Sequence, residues 1–290
     1  EGSKPGEGQF AGVCLMDGRS IAATALNGGK ITAATDIEYE CTAPEYEFDS
    51  SAYDRRIYYG FGKADPSVEL VMGPNITDWP KMYALTENLL KKRAAVIHDP
   101  VTTTDELIPS GETSSYRSNP LRLAEFTLSR REPAYVGRAK EIAKLEGERR
   151  SGAVPAEIVE TLNRVGNGAE LANNTQFGSC VFANKPGDGS AREQAASCQK
   201  VLGGFANICY EYATKRYRSN CINWGILPFT IDDGTEFNYE PGDCVFVPGI
   251  RAAVENGTEN IPAKVIRQNG DVCDIMLHLR GLTPDEKEII

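Results

Sequence analysis

Apolar residues recur along the chain with two different periods, and these periods predict where helices and strands lie. Small apolar residues over 19–30, closed by a pair of glycines, predict a helix that ends in a glycine cap. A short amphipathic helix is predicted near 82–90. Two more helices are predicted over 133–150 and 155–165, the second with apolar residues spaced by about one turn and a proline suited to its first turn.

The second half of the chain alternates between strand-like and helix-like segments. A strand over 179–183 is followed by a glycine-containing loop over 187–192, a helix over 193–202 and a strand over 205–212. This order is typical of an α/β unit that carries a ligand-binding loop at the carboxyl end of a strand. A shorter strand is predicted over 93–99.

The remaining segments are predicted as connections and as a small β layer. Residues 36–65 are acidic and rich in tyrosine, which indicates an irregular surface connector. Residues 100–119 are rich in Thr, Ser, Pro and Gly, and we interpret them as a loop with a binding role. The C-terminal part, from residue 241 to residue 279, predicts short and largely antiparallel strands separated by Gly-Asp and Asn-Gly turns.

Composition and charge narrow the classes of function. The 290 residues include 31 Lys+Arg and 41 Asp+Glu, for a formal net charge of −10. This acidic balance argues against a generic nucleic-acid or acidic-membrane binder, and an RNA-binding role fits poorly with it. No apolar run approaches about 18 residues, so we expect no membrane span, and no secretory leader is visible. The glycine-rich start lacks Met, from which we expect a fragment of a longer protein.

The cysteines do not form a recognisable ligand pattern. Eight cysteines and two histidines are scattered along the chain without a Cys-x-x-Cys pair, so we expect no zinc or cluster site on this chain. Several cysteines stand in apolar runs, which predicts buried free thiols in a reducing compartment. We expect a cytoplasmic protein, with the mitochondrial matrix as the alternative.

The segment Gly187-Asp-Gly-Ser-Ala-Arg-Glu-Gln194 concentrates the candidate chemistry. Glycines let a backbone approach a ligand closely, and a helix start favours anions. The segment lacks the third glycine of a dinucleotide fingerprint and the Gly-Lys-Ser/Thr of a phosphate loop. One interpretation is an ordinary helix with Ser190 as its N-cap. The other is an anion site in which Ser190 is a base and Arg192 binds a carboxylate through both of its terminal nitrogens.

Two further segments carry candidate residues. The first runs over 102–111 and continues to Tyr116-Arg117-Ser118-Asn119-Pro120, and a well-bonded surface loop is its simpler interpretation. The second, over 218–228, reads as a helix that ends at Gly225 with an apolar exit.

Taken in order, these three segments resemble the C-terminal swivelling domain of the aconitase family of hydro-lyases, which includes isopropylmalate isomerase and homoaconitase. That family has a Thr-Thr-Asp-x-x-x-Pro-x-Gly segment, then a substrate-binding Arg, a Gly-x-Gly-Ser-x-Arg-Glu loop and a Ser-Asn-x-x-x-x-Gly-Ile-Leu-Pro segment. Here they stand at 103–111, Arg117, 187–193 and 219–228. The resemblance implies an α/β fold: a swivelling domain of the β/β/α type with a mixed sheet over 81–290. Residues 1–80 would be a tail of the preceding cluster-bearing region and an irregular linker.

The resemblance also implies roles for individual residues. Ser190 would be the base that removes a proton from the substrate carbon, and Asp105 an acidic member of the same pocket. The substrate-binding positions that it implies are Arg117, Arg192, Ala191 and Gly189. The family's [4Fe-4S] cluster would be held by residues outside this chain, in the N-terminal cluster-bearing domains of the same enzyme, and the fragment alone would be inactive.

The implied activity is the reversible dehydration and rehydration of a hydroxy di- or tricarboxylate of the citrate/isocitrate type. Two departures bear on the substrate. The family's common Thr-Thr-Asp-His-Ile-Ser-Pro is here Thr103-Thr-Asp-Glu-Leu-Ile-Pro109, and its frequent second serine is Ala191. Two polar groups that could contact the substrate are thereby lost, while Arg122 is an additional cation near the loop. The alternative function is a non-catalytic module that binds a small carboxylate.

Overall fold

The computed structural model describes Gly8 and residues 14–38, 45–56 and 62–290 of the chain. The chain divides into two compact units, residues 1–69 and 70–290. In the first unit, α1 (Gly18–Leu26) begins where the Asp17 carboxylate accepts hydrogen bonds from backbone N–H groups of the first turn. It ends before Gly28 and Gly29, both in the left-handed region, which confirms the predicted glycine cap.

The connector predicted over 36–65 needs a correction. It contains a short helix, α2 (Ser51–Arg56), next to Ser50, whose carbonyl accepts the first hydrogen bonds of the turn. The prediction missed this helix because a helix of six residues is too short to show an apolar period. Parts of this connector, 39–44 and 57–61, lie outside the described residues.

The second unit contains the strands of the fold. They are β1 (Asn88–Ile97), β2 (Thr102–Thr103), β3 (Thr175–Ala183), β4 (Pro186–Asp188), β5 (Gly204–Cys209), β6 (Leu227–Thr230), β7 (Cys244–Val247), β8 (Asn260–Ile266) and β9 (Val272–His278). Its helices are α3 (Thr104–Leu107), α4 (Pro120–Ala124), α5 (Tyr135–Arg150), α6 (Ala156–Leu162), α7 (Gly168–Leu171), α8 (Arg192–Val201), α9 (Lys215–Asn223), α10 (Ile250–Asn256) and α11 (Pro284–Ile289). The helices predicted over 133–150 and 155–165 are therefore confirmed as α5 and α6.

Seven strands close into a barrel in the order β1-β3-β5-β6-β9-β8-β7. β1, β3, β5 and β6 run parallel to one another, whereas β7, β8 and β9 pair antiparallel. β1 closes the barrel because it pairs in parallel with β3 on one side and antiparallel with β7 on the other. The predicted α/β class with a mixed sheet is confirmed. The antiparallel C-terminal strands, predicted as a separate small layer, instead continue the same sheet.

Two apolar cores lie on the two faces of this sheet. Alternate residues of all seven strands, such as Leu89, Phe182 and Phe229, form one core that the barrel encloses. The other core joins the outer face of β1 and β3, through residues such as Leu90 and Val181, to α5, α6 and α8. Because neighbouring residues of a strand point to opposite faces, Leu89 and Leu90 belong to different cores.

The helix predicted near 82–90 is wrong. Residues 82–87 form neither helix nor strand, and β1 begins at Asn88. The run of apolar and polar residues there is compatible with either period, and the pairing of β1 with β3 and β7 decides in favour of the strand.

Five cysteines of the second unit, Cys180, Cys198, Cys209, Cys221 and Cys244, are buried free thiols, as predicted. Cys14 is exposed and Cys273 is half-buried, so the prediction does not extend to them. No helix in the part of the chain that the structure describes combines the length and apolar character needed to cross a membrane.

Candidate functional site

The glycine-containing loop leaves the barrel at the carboxyl end of β3 and leads into α8. Gly187 and Gly189 have φ values of +97° and +124°, which residues with a Cβ rarely adopt. Both positions are also crowded, because a Cβ on Gly187 would lie 2.3 Å from the Tyr217 ring and one on Gly189 would lie 2.2 Å from Thr104 Oγ1. Glycine is therefore required at both positions by backbone conformation and by close packing.

The pairing of two strands that lie far apart in the chain brings the first candidate segment to this loop. β2 and β4 form a two-stranded parallel ladder in which Thr102 stands opposite Pro186 and Thr103 opposite Asp188. A capping box then starts α3, because Thr103 Oγ1 accepts from the N–H of Glu106 and the Glu106 carboxylate accepts from the N–H of Thr103. The segment 103–111 and the loop 187–193 are neighbours through this ladder.

The helix that leads into the third candidate segment, α9, supports the loop through its N-cap and its first turn. The Thr214 hydroxyl caps α9 and donates a hydrogen bond to the Gly187 carbonyl at 3.1 Å. α9 also carries Tyr217, whose buried ring fills the space beside Gly187. α9 ends at Asn223, shortly before Gly225 with its φ of +62°, as the apolar exit over 218–228 predicted.

Ser190 is not the N-cap of α8. That position belongs to Ala191, and no side chain of the described residues caps the helix. The simpler interpretation of the loop, in which the Ser190 hydroxyl serves as a cap, is therefore wrong. Ser190 is exposed just ahead of the helix start, and its carbonyl accepts a hydrogen bond from the backbone N–H of Arg192 at 2.9 Å.

An open cleft of about 310 Å³ collects most of the predicted site residues. It is lined by Ser110, Arg117, Ser190, Ala191, Arg192, Glu193 and Gln194. Arg117 comes from the turn before α4, and Arg192 from the first turn of α8, so two distant parts of the chain supply one cation each. Neither arginine has a carboxylate partner among the described residues, and Arg192 Nε is buried without a hydrogen-bond partner there.

Two predicted site residues, Gly189 and Asp105, and the additional cation Arg122 do not line the cleft. Gly189 packs against Thr104, as described above. Asp105 pairs with Arg130, whose guanidinium also binds Glu112. Arg122 does not line the cleft either, and its guanidinium lies over the rings of Tyr116 and Phe126.

Three cleft residues were not singled out by the sequence. Ser110 lies inside the first segment and Glu193 and Gln194 follow Arg192, so proximity to the motifs was the available signal. A larger cleft of about 660 Å³ lies elsewhere, beside Trp224 and Arg251, and contains none of the predicted site residues. No three His, Cys, Asp or Glu side chains of the described residues are placed to hold a metal ion.

Comparisons with known proteins agree with the motifs. A family model described as "Aconitase C-terminal domain" matches residues 160–234, which include the loop 187–193 and the segment 219–228. This stretch of the chain is therefore similar to the C-terminal domain of the aconitase family. A curated relative, aconitate hydratase A of Bradyrhizobium diazoefficiens, is 29% identical over 110 residues. That alignment covers 37% of this chain and 12% of the relative, so the chain corresponds to a small part of that protein.

A solved structure is also similar to part of this chain. It is the crystal structure of 3-isopropylmalate dehydratase from Methanocaldococcus jannaschii, with 19% identity and a TM-score of 0.37. The alignment covers 67% of this chain and 84% of the solved chain. Arg117 and the segment 103–111 lie outside the stretch that the family model matches, so their placement beside the loop rests on the ladder and the cleft alone.

Proposed function

We propose that this chain is an aconitase-family domain that supplies the carboxylate-binding and base-bearing half of a hydro-lyase. The substrate would be a hydroxy di- or tricarboxylate of the citrate/isocitrate type, which the enzyme reversibly dehydrates and rehydrates. One observation carries the proposal: Arg117, Arg192 and Ser190 line one cleft, and neither arginine has a carboxylate partner among the described residues. Two guanidinium groups without partners attract a ligand that has two carboxylates.

Each residue has a role that fits its position. Arg117 and Arg192 would each bind one substrate carboxylate, and Ala191 would line the pocket between them. Ser190 would take the proton from the substrate carbon, because it stands at the start of α8, where the backbone N–H groups favour an alkoxide. Gly189 allows the turn that presents Ser190. Asp105, held by Arg130, would be an acidic group at the edge of the site.

The remaining chemistry belongs to parts outside this chain. The resemblance implies a [4Fe-4S] cluster as the Lewis acid, held by the N-terminal cluster-bearing domains of the same enzyme. The described residues offer no ligand set for it, so the proposal for this chain is limited to binding the substrate and moving a proton.

Carboxylate binding is the first test. In titration calorimetry with citrate, we expect the 290-residue chain to bind, and Arg192→Gln or Arg117→Gln to weaken binding roughly 10- to 100-fold, because each removes a pair of charge-assisted hydrogen bonds. Arg251→Gln, which removes the same charge from the larger cleft, is the control and should bind like the unaltered chain. A chain that does not bind citrate or any related di- or tricarboxylate contradicts the proposal.

Catalysis is the second test. After anaerobic reconstitution with the cluster-bearing part, Ser190→Ala should lower hydratase turnover roughly 10²- to 10⁴-fold while citrate affinity stays the same, since the change removes only the base. Ser151→Ala, at the exposed end of α5, is the matched control. Near-normal turnover of Ser190→Ala would refute the assigned role. Binding without any turnover in the reconstituted, unaltered protein would favour the alternative, a non-catalytic carboxylate-binding module.

A further inference from the structure

A short segment ahead of the barrel, Asn75-Ile-Thr-Asp-Trp79, contacts the loop that carries Arg117 directly and is linked to the residue after Arg192 through Trp224. We call it the strap. It lies within residues 70–87, which form neither helix nor strand. Its first and third residues, Asn75 and Thr77, form an Asn-x-Thr sequence.

One end of the strap holds the loop that carries Arg117. The Thr77 N–H donates to the Ser118 carbonyl, and the Thr77 hydroxyl donates to Asn119 Oδ1, both at 3.1 Å. Asn75 donates its side-chain amide to the Ser115 carbonyl and accepts a hydrogen bond from Asn119 Nδ2 at 3.4 Å. These hydrogen bonds reach the chain on both sides of Arg117.

The position of Arg117 is sensitive to these hydrogen bonds. Arg117 follows a single 3₁₀ turn, Ser114–Tyr116, and precedes α4, whose N-cap is Asn119. Asn119 Oδ1 accepts from the N–H of Arg122 as well as from Thr77, so the helix start and the strap share one acceptor. Movement of the strap therefore moves the start of α4 and the arginine before it.

The other end of the strap is linked to the first turn of α8, which carries Arg192, through Trp224. The ring of Trp79 packs on the ring of Trp224, with centroids 4.5 Å apart. Trp224 in turn donates its indole N–H to the Glu193 carboxylate at 3.1 Å, and Glu193 lines the cleft directly after Arg192. Trp79 is 47% exposed, so its contact with Trp224 lies at the surface and not in the apolar core.

We propose that the strap is a positioning element that sets the spacing between Arg117 and Arg192 and so selects the length of the dicarboxylate that binds. This inference rests on the proposed function. Its structural basis is that one five-residue segment is hydrogen-bonded to the Arg117 loop and packs through Trp79 on Trp224, which is hydrogen-bonded to Glu193. A pre-positioned pair of arginines binds tightly because the ordering of the loops precedes binding.

The test separates the two ends of the strap. Asn75→Ala combined with Thr77→Val removes the side-chain hydrogen bonds between the strap and the Arg117 loop and leaves only the bond from the residue-77 N–H to the Ser118 carbonyl. Trp79→Leu removes the ring that packs on Trp224. Asp78→Asn is the matched control, because Asp78 is exposed in the middle of the strap. All variants are made in the 290-residue chain, and amide hydrogen exchange and citrate affinity are measured for each.

We expect the first variant to exchange at least about 10-fold faster over 114–119, and Trp79→Leu to do so over 189–194, because local opening controls exchange. Citrate affinity should fall about 10-fold in each variant. The ratio of the affinities for a four-carbon and a six-carbon dicarboxylate should move closer to one. In the reconstituted enzyme KM should rise while kcat stays within about 2-fold, as for a loss of uniform binding.

Two failures remain distinguishable. If exchange over both loops and citrate affinity match those of Asp78→Asn, the strap does not position the arginines and the inference is overturned. If the unaltered chain binds no carboxylate at all, the proposed function fails and the selectivity role fails with it, whereas the exchange measurement still reports whether the strap orders the two loops.

Discussion

Two pairs of cations occupy opposite environments in this domain. Arg117 and Arg192 border an open cleft and have no carboxylate partner among the described residues. Lys91 and Arg93 are buried on β1 and touch the core inside the barrel, with Lys91 Nζ 4.0 Å from the Phe229 ring centroid. An unpaired cation costs little beside water and a great deal in an apolar core. The absence of a partner among the described residues therefore indicates a binding site for the two cleft arginines and a cost in stability for Lys91.

The two barrel cations differ from each other as well. Arg93 donates to Asp243 at 3.0 Å, and this carboxylate also accepts from the backbone N–H groups of Glu240 and Gln268. Lys91 Nζ has no hydrogen-bond partner among the described residues. Burial accordingly lowers the pKa of Lys91 to about 8.

Asp243→Ala should give the largest effect. It leaves the Arg93 guanidinium buried without its counter-charge, and we expect the free energy of unfolding to fall by about 3–5 kcal/mol in urea denaturation. Asp274→Ala removes an ion pair with Lys264 on the exposed face of the same barrel and should cost less than about 1 kcal/mol. Equal losses in the two variants would contradict the distinction between buried and exposed pairs.

Lys91→Met should stabilise the domain. With a folded pKa of about 8 against an unfolded value of 10.5, the unfolded chain binds the extra proton between these two pH values. Stability of the unaltered chain should therefore rise as the pH rises from about 8 to 10.5, and the full cost, about 3 kcal/mol, should be present below pH 8. Methionine keeps a flexible apolar stem and removes the charge, so Lys91→Met should gain up to that amount at pH 7.

The measurement is urea denaturation of both proteins at pH 7 and pH 9.5. The difference in stability between the variant and the unaltered chain should shrink at the higher pH, because Lys91 is then largely neutral when folded. A lower stability of Lys91→Met at pH 7 would mean that the ammonium has a favourable role in the barrel.

Arg192→Gln should give the smallest effect on stability. Since the cleft arginine has no ion-pair partner among the described residues, its removal should change the free energy of unfolding by less than about 0.5 kcal/mol. The same variant should lose citrate affinity, as proposed above. A loss of about 2 kcal/mol or more would show that Arg192 holds the fold together and would weaken its assignment as a ligand-binding residue.

Much of the fold and part of the candidate site could be predicted from local patterns. α5 and α6 bury residues that recur every three or four positions, over four turns in α5 and two in α6. The glycines of the loop 187–193 mark a backbone that only glycine adopts easily. The strand β1 was missed in part, because its first residues fit a helix as well as a strand until β3 and β7 pair with them. Ser190 was taken for a possible N-cap because residue type alone does not say where a helix begins.

The sequence by itself therefore determined the residue types of the site: two arginines, a serine and the glycines that shape the loop, together with a resemblance to the aconitase family. The tertiary structure alone decided which of these residues share a cleft, since the pairing of β2 with β4 joins segments that lie far apart in the chain. It also decided that Arg117 and Arg192 lie in a cleft and that Lys91 is enclosed. The physical reason is that periodicity and backbone preference act between near neighbours, whereas strand pairing and burial depend on residues that only folding brings together.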